Sequence, residues 1–128
     1  MNILGIDYGR KKIGLALSIT ILAEAYDVIR YEKVEEAVKK IKKVVEREQI
    51  EKVIVGISEG KMADETRRFA ENLERELGIP IYFQDETLST QEAQRLSIEA
   101  KVSRKKRREF EDAYTAAVIL QEYLNRNS

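Results

Sequence analysis

Apolar and polar positions alternate from the start of the chain, and the pattern predicts two strands joined by a tight turn. Residues 2–18 read NILGIDYGRKKIGLALS. Two apolar runs flank Tyr8-Gly9-Arg10-Lys11-Lys12, a glycine-containing basic segment that suits a hairpin turn. A weaker apolar pattern from Tyr26 to Tyr31 predicts a third strand. Strands joined by short turns tend to be antiparallel neighbours, so we expect an antiparallel three-stranded unit here.

The next part of the chain switches between helical and extended patterns. Apolar residues recur at helical spacing over 32–48 and over 63–77, which predicts two amphipathic helices. Gly78 and then Pro80 favour an end to the second helix. The segments KVIVGI (52–57) and IPIYFQ (79–84) are typical of strands, the first of them buried on both faces of a parallel sheet.

Two more helices complete the pattern, over 89 to about 100 and over 109–125. Ser89 and Glu92 form a capping-box pattern at the start of the first. Strands separated by helices tend to be parallel. The sequence therefore predicts an α/β fold, a mixed five-stranded sheet of three antiparallel and then parallel strands flanked by helices. With 128 residues, a single domain over 1–128 is expected.

Composition narrows the chemistry that such a domain could perform. The chain has no cysteine or histidine, which excludes disulfides, thiolate nucleophiles, the usual zinc sites and imidazole acid–base catalysis. Carboxylate oxygens remain, and these suit Mg²⁺ or Mn²⁺. The 23 basic and 23 acidic residues balance, so nucleic-acid binding would need a local basic patch. No signal-peptide pattern or apolar run of membrane-spanning length is present, so a cytoplasmic protein without membrane contact is expected.

Carboxylates follow several predicted strands at the end where ligands collect in such sheets. Asp7 ends the first strand, Asp85 and Glu86 follow the last, and Glu59 follows KVIVGI. A carboxylate inside an apolar strand needs compensation, for example by a divalent cation, but hydrogen bonds from turn amides would also serve Asp7. By strand alternation, only one of Asp85 and Glu86 should face the site.

Four motifs, in order, resemble one known family. They are GIDYG-RKKIG-LALS, KVIVGI, DETLSTQEA and VSRKKRREFEDAYTAAVILQEYL. Together they cover nearly the whole chain and are similar to the YqgF family. Its members are RuvC-like nucleases of the ribonuclease H superfamily, described as Holliday junction resolvases and as nucleases that mature the 5′ end of pre-16S ribosomal RNA.

This resemblance implies a Mg²⁺- or Mn²⁺-dependent nuclease with a ribonuclease H-like fold. It implies that three acids are catalytic and bind the metal: Asp7, Glu86 and Asp112, the last at the start of the final helix. Converging carboxylates of this kind can hold two divalent ions for phosphodiester hydrolysis. The chain departs from the family pattern at Thr87, where an arginine is usual, and in its short Ser58–Lys61 loop, which puts substrate positioning in doubt.

Each acid also has a plain structural interpretation. Glu86 could cap the next helix, and Asp112 could be a solvent-facing acid with Glu111 as its neighbour and competitor. Against this, Asp112 shares a mostly apolar helical face with Ala116 and Ile119. Glu59 is the reserve ligand.

Basic residues form two candidate nucleic-acid-binding segments beside these acids. Such runs suit phosphates, although many are only solvated surface. The first segment is the predicted turn, and the second immediately precedes the last helix. Their residues are Arg10, Lys11 and Lys12, then Lys101, Arg104, Lys105, Lys106, Arg107 and Arg108.

The sequence leaves the exact function open. The leading hypothesis is a nuclease acting on pre-rRNA or branched DNA, and the two substrates are not separable from sequence. A non-catalytic nucleic-acid-binding module with the same fold is the alternative. A kinase-like phosphate binder is less favoured because it needs two lobes. The oligomeric state is undetermined, although a resolvase cutting symmetric strands would favour a dimer.

Overall fold

The computed structural model describes residues 1–86 and 104–127, except for the side chains of 104–108. Along these residues lie five strands and three helices. The strands are β1 (Ile3–Asp7), β2 (Lys12–Ser18), β3 (Ala23–Arg30), β4 (Lys52–Ile57) and β5 (Ile81–Asp85). The helices are α1 (Val34–Arg47), α2 (Lys61–Leu77) and α3 (Arg104–Arg126).

The strands form one mixed sheet in the order β3-β2-β1-β4-β5. The pairs β1–β2 and β2–β3 are antiparallel, whereas β1–β4 and β4–β5 are parallel. This confirms the predicted mixed five-stranded fold. Since β1 lies at the centre, its last residue, Asp7, lies between β2 and β4 at the carboxyl end of the parallel strands.

Two apolar clusters cover the two faces of the sheet. The larger joins α1 and α2 to the sheet through residues such as Leu4, Ile41 and Leu73, all fully buried. The smaller joins α3 to the opposite face through Ile54 and Ile119. Helix α3 is therefore the element that covers the face carrying the small residues of the central strands.

Helix boundaries follow the predicted ones for α1 and α2 but not for α3. Helix α2 ends at Gly78, which adopts the left-handed conformation with φ 67°, as its sequence predicts. Helix α3 begins at Arg104, so the predicted start at 109 is wrong. The basic residues before 109 are good helix formers with no breaker among them, and helix formation continues through them. The helix predicted over 89–100 lies outside the described residues.

Glycines on three adjacent strands let α3 approach the sheet closely. A Cβ added at Gly5 would lie 2.8 Å from Cβ of Leu120. One at Gly56 would lie 2.4 Å from Cδ1 of Ile119. One at Gly14 would lie 1.9 Å from the carbonyl oxygen of Asp112. These positions therefore determine the depth at which the helix, and Asp112 with it, docks on the sheet.

Within the described residues, no helix is both long and apolar enough to cross a membrane.

Candidate active site

The central strands and α3 place three acids at one end of the sheet. Asp7 is the last residue of β1 and pairs in register with Gly14 of β2. The main chain of Asp112 lies directly against Gly14, so α3 delivers this acid beside the end of β1. The backbone N–H of Glu86 donates a hydrogen bond of 3.1 Å to the carbonyl oxygen of Ile57, which continues the β4–β5 pairing by one residue.

The side chain of Glu86 lies over β4. Its Oε2 atom is 2.9 Å from the position that a Cβ on Gly56 would occupy. Glycine at this position thus leaves the room that the carboxylate fills. Asp85, the preceding residue, is exposed. Glu86 is therefore the acid of this pair that turns towards the site, in agreement with strand alternation.

The raised pKa of Asp7 indicates that these acids lie close together. Its pKa is raised to about 8, first by burial, and then by the charges of Glu86 and Asp112. A hydrogen bond with Glu86 and the charge of Glu111 raise the pKa further. The raised pKa favours the protonated form of Asp7 near neutral pH, in which its carboxyl donates the hydrogen bond to Glu86. The structure thus brings together the three acids named from the sequence, with Glu111 nearby.

The charge of Asp112 is compensated by an ion pair with a lysine. Its Oδ2 atom lies 3.4 Å from Nζ of Lys12, and the two side chains are 25% and 43% exposed. The same Oδ2 atom is buried and accepts no hydrogen bond. The contact is therefore an ion pair with poor hydrogen-bond geometry, and this carboxylate oxygen keeps unused coordinating capacity.

The donor chemistry at this site fits a hard divalent cation. Carboxylates from a strand, from the residue that follows another strand and from a helix converge, and one of their oxygens, Oδ2 of Asp112, accepts no hydrogen bond. However, in the part of the chain that the structure describes, no three acidic side chains are placed as a ready coordination sphere. Asp7 is hydrogen-bonded to Glu86, and Asp112 is paired with Lys12. A cation would require these carboxylates to turn away from their present partners.

The turn between β1 and β2 is fixed to α2 by a residue that sequence reasoning missed. Glu65 accepts a hydrogen bond of 3.0 Å from the Tyr8 hydroxyl and an ion-paired one of 3.0 Å from Nε of Arg10. Tyr8 also stacks on Phe69, with ring centroids 4.6 Å apart. These contacts hold the turn that follows Asp7. Glu65 is one of many charged residues in the sequence of α2, so it gave no signal for this role.

We expect Glu65→Gln to lower the thermal midpoint at neutral pH. The Tyr8 hydroxyl, and then Arg10, lower the pKa of Glu65, so its ionised form contributes stability. That contribution is present above the unfolded pKa of about 4.5 and is lost as the pH falls through the lower folded value. Melting curves of both proteins should therefore differ at pH 7 and converge as the pH is lowered below the folded value.

Asp64→Asn serves as the control for this measurement. Asp64 is exposed and pairs with Arg67 at 3.4 Å, three residues along the same helix. Such exposed pairs contribute little, so the thermal midpoint should hardly change. A Glu65→Gln effect no larger than that of the control would contradict the anchoring role.

The candidate nucleic-acid-binding residues differ in their surroundings, and some of them form ion pairs within the protein. Arg10 is bound to Glu65, Lys11 is exposed on the turn and Lys12 reaches Asp112. Residues 104–108 form the first turns of the helix that carries Asp112, and Lys101 lies outside the described residues, as does Thr87. Glu59, the reserve ligand, is exposed on the turn after β4.

Comparison with known proteins identifies relatives over the full length of the chain. A family model named RuvX and described as Holliday junction resolvase matches residues 1–126. A protein of Halothermothrix orenii named "Putative pre-16S rRNA nuclease" is 41% identical over 133 aligned residues, covering 98% of this chain and 95% of that protein. A Dictyoglomus thermophilum protein with the same name is 35% identical, covering 100% and 98%.

Solved structures with the same fold include two resolvases. RuvC of T. thermophilus, in complex with a Holliday junction substrate, gives a TM-score of 0.68 at 19% identity, covering 100% of this chain and 97% of that chain. The Fowlpox virus resolvase, in complex with Holliday junction DNA, gives 0.67 at 10% identity, covering 99% of both chains. At these identities the likeness concerns the fold. The resemblance and the RuvC-like fold stated from the sequence motifs are confirmed.

Proposed function

Since the chain belongs to the RuvX family of Holliday junction resolvases, also called YqgF, we propose that it is a metal-dependent nuclease that hydrolyses phosphodiester bonds in structured nucleic acid. The observation that carries the proposal is the convergence of Asp7, Glu86 and Asp112: burial first, and then the charges of the other two acids, raise the pKa of Asp7. Acidic side chains that repel one another cost stability, and a cation bound between them would offset that repulsion, so such a group indicates a functional site.

We propose the 5′ end of pre-16S rRNA as the first substrate to test, with branched DNA second. The name of the relatives that are 41% and 35% identical favours the RNA. The family description favours the DNA junction. The protein would act as a single domain over 1–128. A nuclease that acts on pre-rRNA would work in the cytoplasm.

Asp7, Glu86 and Asp112 would supply the oxygen ligands for Mg²⁺ or Mn²⁺. When bound, such ions activate a water molecule and stabilise the leaving oxygen of a phosphodiester. For this, Asp7, whose raised pKa favours its protonated form, has to be deprotonated, and Asp112 has to turn from Lys12. Metal binding should therefore be accompanied by proton release.

The basic residues around the site would bind the nucleic-acid backbone. Lys11 is exposed on the β1–β2 turn, and five consecutive residues of 104–108, all basic, begin the helix that carries Asp112. Lysine and arginine side chains neutralise phosphates without reading sequence, so recognition would rest on backbone and shape. A fold that binds nucleic acid without cutting it remains the second candidate function.

The test is a cleavage assay with two labelled substrates, a pre-16S rRNA 5′ leader and a four-way DNA junction. Each is incubated with protein in Mg²⁺, Mn²⁺ or EDTA. We expect metal-dependent cleavage of the RNA leader, none in EDTA, and at least about 100-fold slower cleavage by Glu86→Gln. Glu71→Gln, an exposed position on α2, should cleave like the unsubstituted protein.

The other outcomes distinguish the alternatives. Cleavage of the junction with the RNA left intact would assign the protein to DNA resolution. Binding of either substrate without cleavage in both metals would refute the nuclease and favour the non-catalytic module.

A further inference from the structure

Lys12 lies beside one of the acids of the site, Asp112, although the sequence suggested a residue of the basic turn. It is the first residue of β2. Two residues further along this strand, Gly14 pairs with Asp7 of β1. Because glycine at 14 lets the backbone of Asp112 lie against β2, the Lys12 ammonium group can reach this carboxylate, at 3.4 Å.

The contact between Lys12 and Asp112 is one that a competitor can break. Charge-assisted N–H···O bonds are about 2.7–2.9 Å long, and this pair is wider and lacks hydrogen-bond geometry. The side chain of Lys12 is 43% exposed on a flexible four-carbon stem. It can swing into solvent without disturbing the buried cluster beneath α3.

We propose that Lys12 is the resident counter-ion of Asp112, which a divalent cation must displace to bind at this site. The inference rests on the proposed function, because it assumes that Asp112 is a metal ligand. An ammonium group and a dication that share one carboxylate oxygen repel each other. Lys12 therefore makes metal binding weaker than the same carboxylates would allow alone, and it keeps Asp112 compensated until the cation arrives.

The structure supplies a matched control for this role. Lys11 carries the same side chain one residue earlier, but it is exposed on the turn and Asp112 pairs with Lys12. A general effect of lowering the net charge by one would appear equally in both variants. A specific competition would appear only at Lys12.

The experiment is calorimetric titration of the whole protein with Mn²⁺ in the absence of nucleic acid. Lys12→Met keeps the length of the side chain and removes its charge, and we expect about 5- to 20-fold tighter Mn²⁺ binding. Lys11→Met should stay within about twofold of the unsubstituted protein, and Lys12→Arg, which keeps the charge, within about threefold.

Salt gives a second measurement that a merely structural role would not affect. The Lys12 side chain is partly exposed, so the ion pair is screened by salt. The gain in affinity for Lys12→Met should therefore shrink between about 0.1 M and about 1 M KCl. Melting curves in EDTA verify that each variant is folded, and Lys12→Gln takes the place of Lys12→Met if that variant does not fold.

The outcomes separate this inference from the proposed function. If neither the unsubstituted protein nor Lys12→Met binds Mn²⁺, the proposed metal-dependent nuclease itself fails. If the unsubstituted protein binds Mn²⁺ and Lys12→Met binds it equally or more weakly, the counter-ion role of Lys12 is overturned while the nuclease stands.

Discussion

Asp7→Asn should reduce nuclease activity by about 10³-fold or more and, in metal-free buffer, make the protein more stable. The first effect follows because the substitution replaces the central carboxylate of the site by an amide that carries no charge. The second follows because Asp7 is partly buried beside Glu86 and Asp112, so its charged form destabilises the folded protein. Loss of activity with gain of stability distinguishes a functional acid from a structural one.

The gain in stability should depend on pH in a defined direction. The pKa of Asp7 rises from 3.8 to about 8 on folding. Below the unfolded value both states are protonated and Asp7 costs nothing. Between the two values folding takes up a proton, so the stability of the unsubstituted protein falls as the pH rises, and above the folded value the cost is complete.

The measurement is the free energy of unfolding in urea with EDTA. Asp7→Asn should match the unsubstituted protein near pH 4 and exceed it near pH 8 by at least about 1 kcal/mol, or about 4 °C in thermal midpoint. Asp85→Asn is the control, because Asp85 is exposed and strand alternation directs it to the face opposite Glu86; it should leave the activity unchanged. A destabilised Asp7→Asn protein at pH 8 would contradict the electrostatic account.

Hydrophobic patterning was sufficient to predict most of the fold. The run KVIVGI is apolar at every interior position except glycine, which predicted a strand covered on both faces, and it lies second from one edge of the sheet. The order of strands across the sheet was beyond this reasoning, since alternation specifies the faces of a strand and not its neighbours. The start of α3 was also missed, because a basic run resembles both a surface loop and a helix turn.

The sequence predicted the acids of the candidate site, but it did not predict the residues that pair with the charges around it. Asp7 stands out because it ends an apolar strand, and Asp112 because it shares a buried helical face. Lys12 and Glu65 gave no such signal, since the partner of a surface charge depends on tertiary contacts, here between residues 55 or more positions apart in sequence. The glycines of the central strands were visible, but their role became clear only once α3 was seen to lie on that face.

Gly14→Ala should destabilise the protein severely and remove nearly all activity. Its Cβ would lie 1.9 Å from the carbonyl oxygen of Asp112, 2.1 Å from the carbonyl carbon and 2.7 Å from the amide nitrogen of Ala113. These are atoms of the helix backbone, which cannot rotate out of the way as a side chain can. The end of α3 must therefore move away from β2, and the packing of Ile119 and Leu120 on the sheet is disturbed with it.

The expected loss is about 3 kcal/mol or more in the free energy of unfolding, at the upper end for an overpacked site. Activity should fall by at least about 100-fold even where the protein is folded, because a displacement of about 1 Å in a catalytic group is costly. Urea unfolding and the cleavage assay, at a temperature where the variant is folded, measure the two effects separately.

Two further glycines calibrate the result. Gly56→Ala would meet Cδ1 of Ile119 and Oε2 of Glu86, side-chain atoms that can rotate, so its stability should fall less while its activity falls through the displacement of Glu86. In Gly78→Ala the added Cβ would lie in open space, and the cost comes from the φ of 67° alone. We expect the free energy of unfolding to fall by about 1 kcal/mol and the activity to be unchanged. If Gly14→Ala behaved like Gly78→Ala, α3 would not rest on β2 at Asp112, and the geometry that unites the three acids would be wrong.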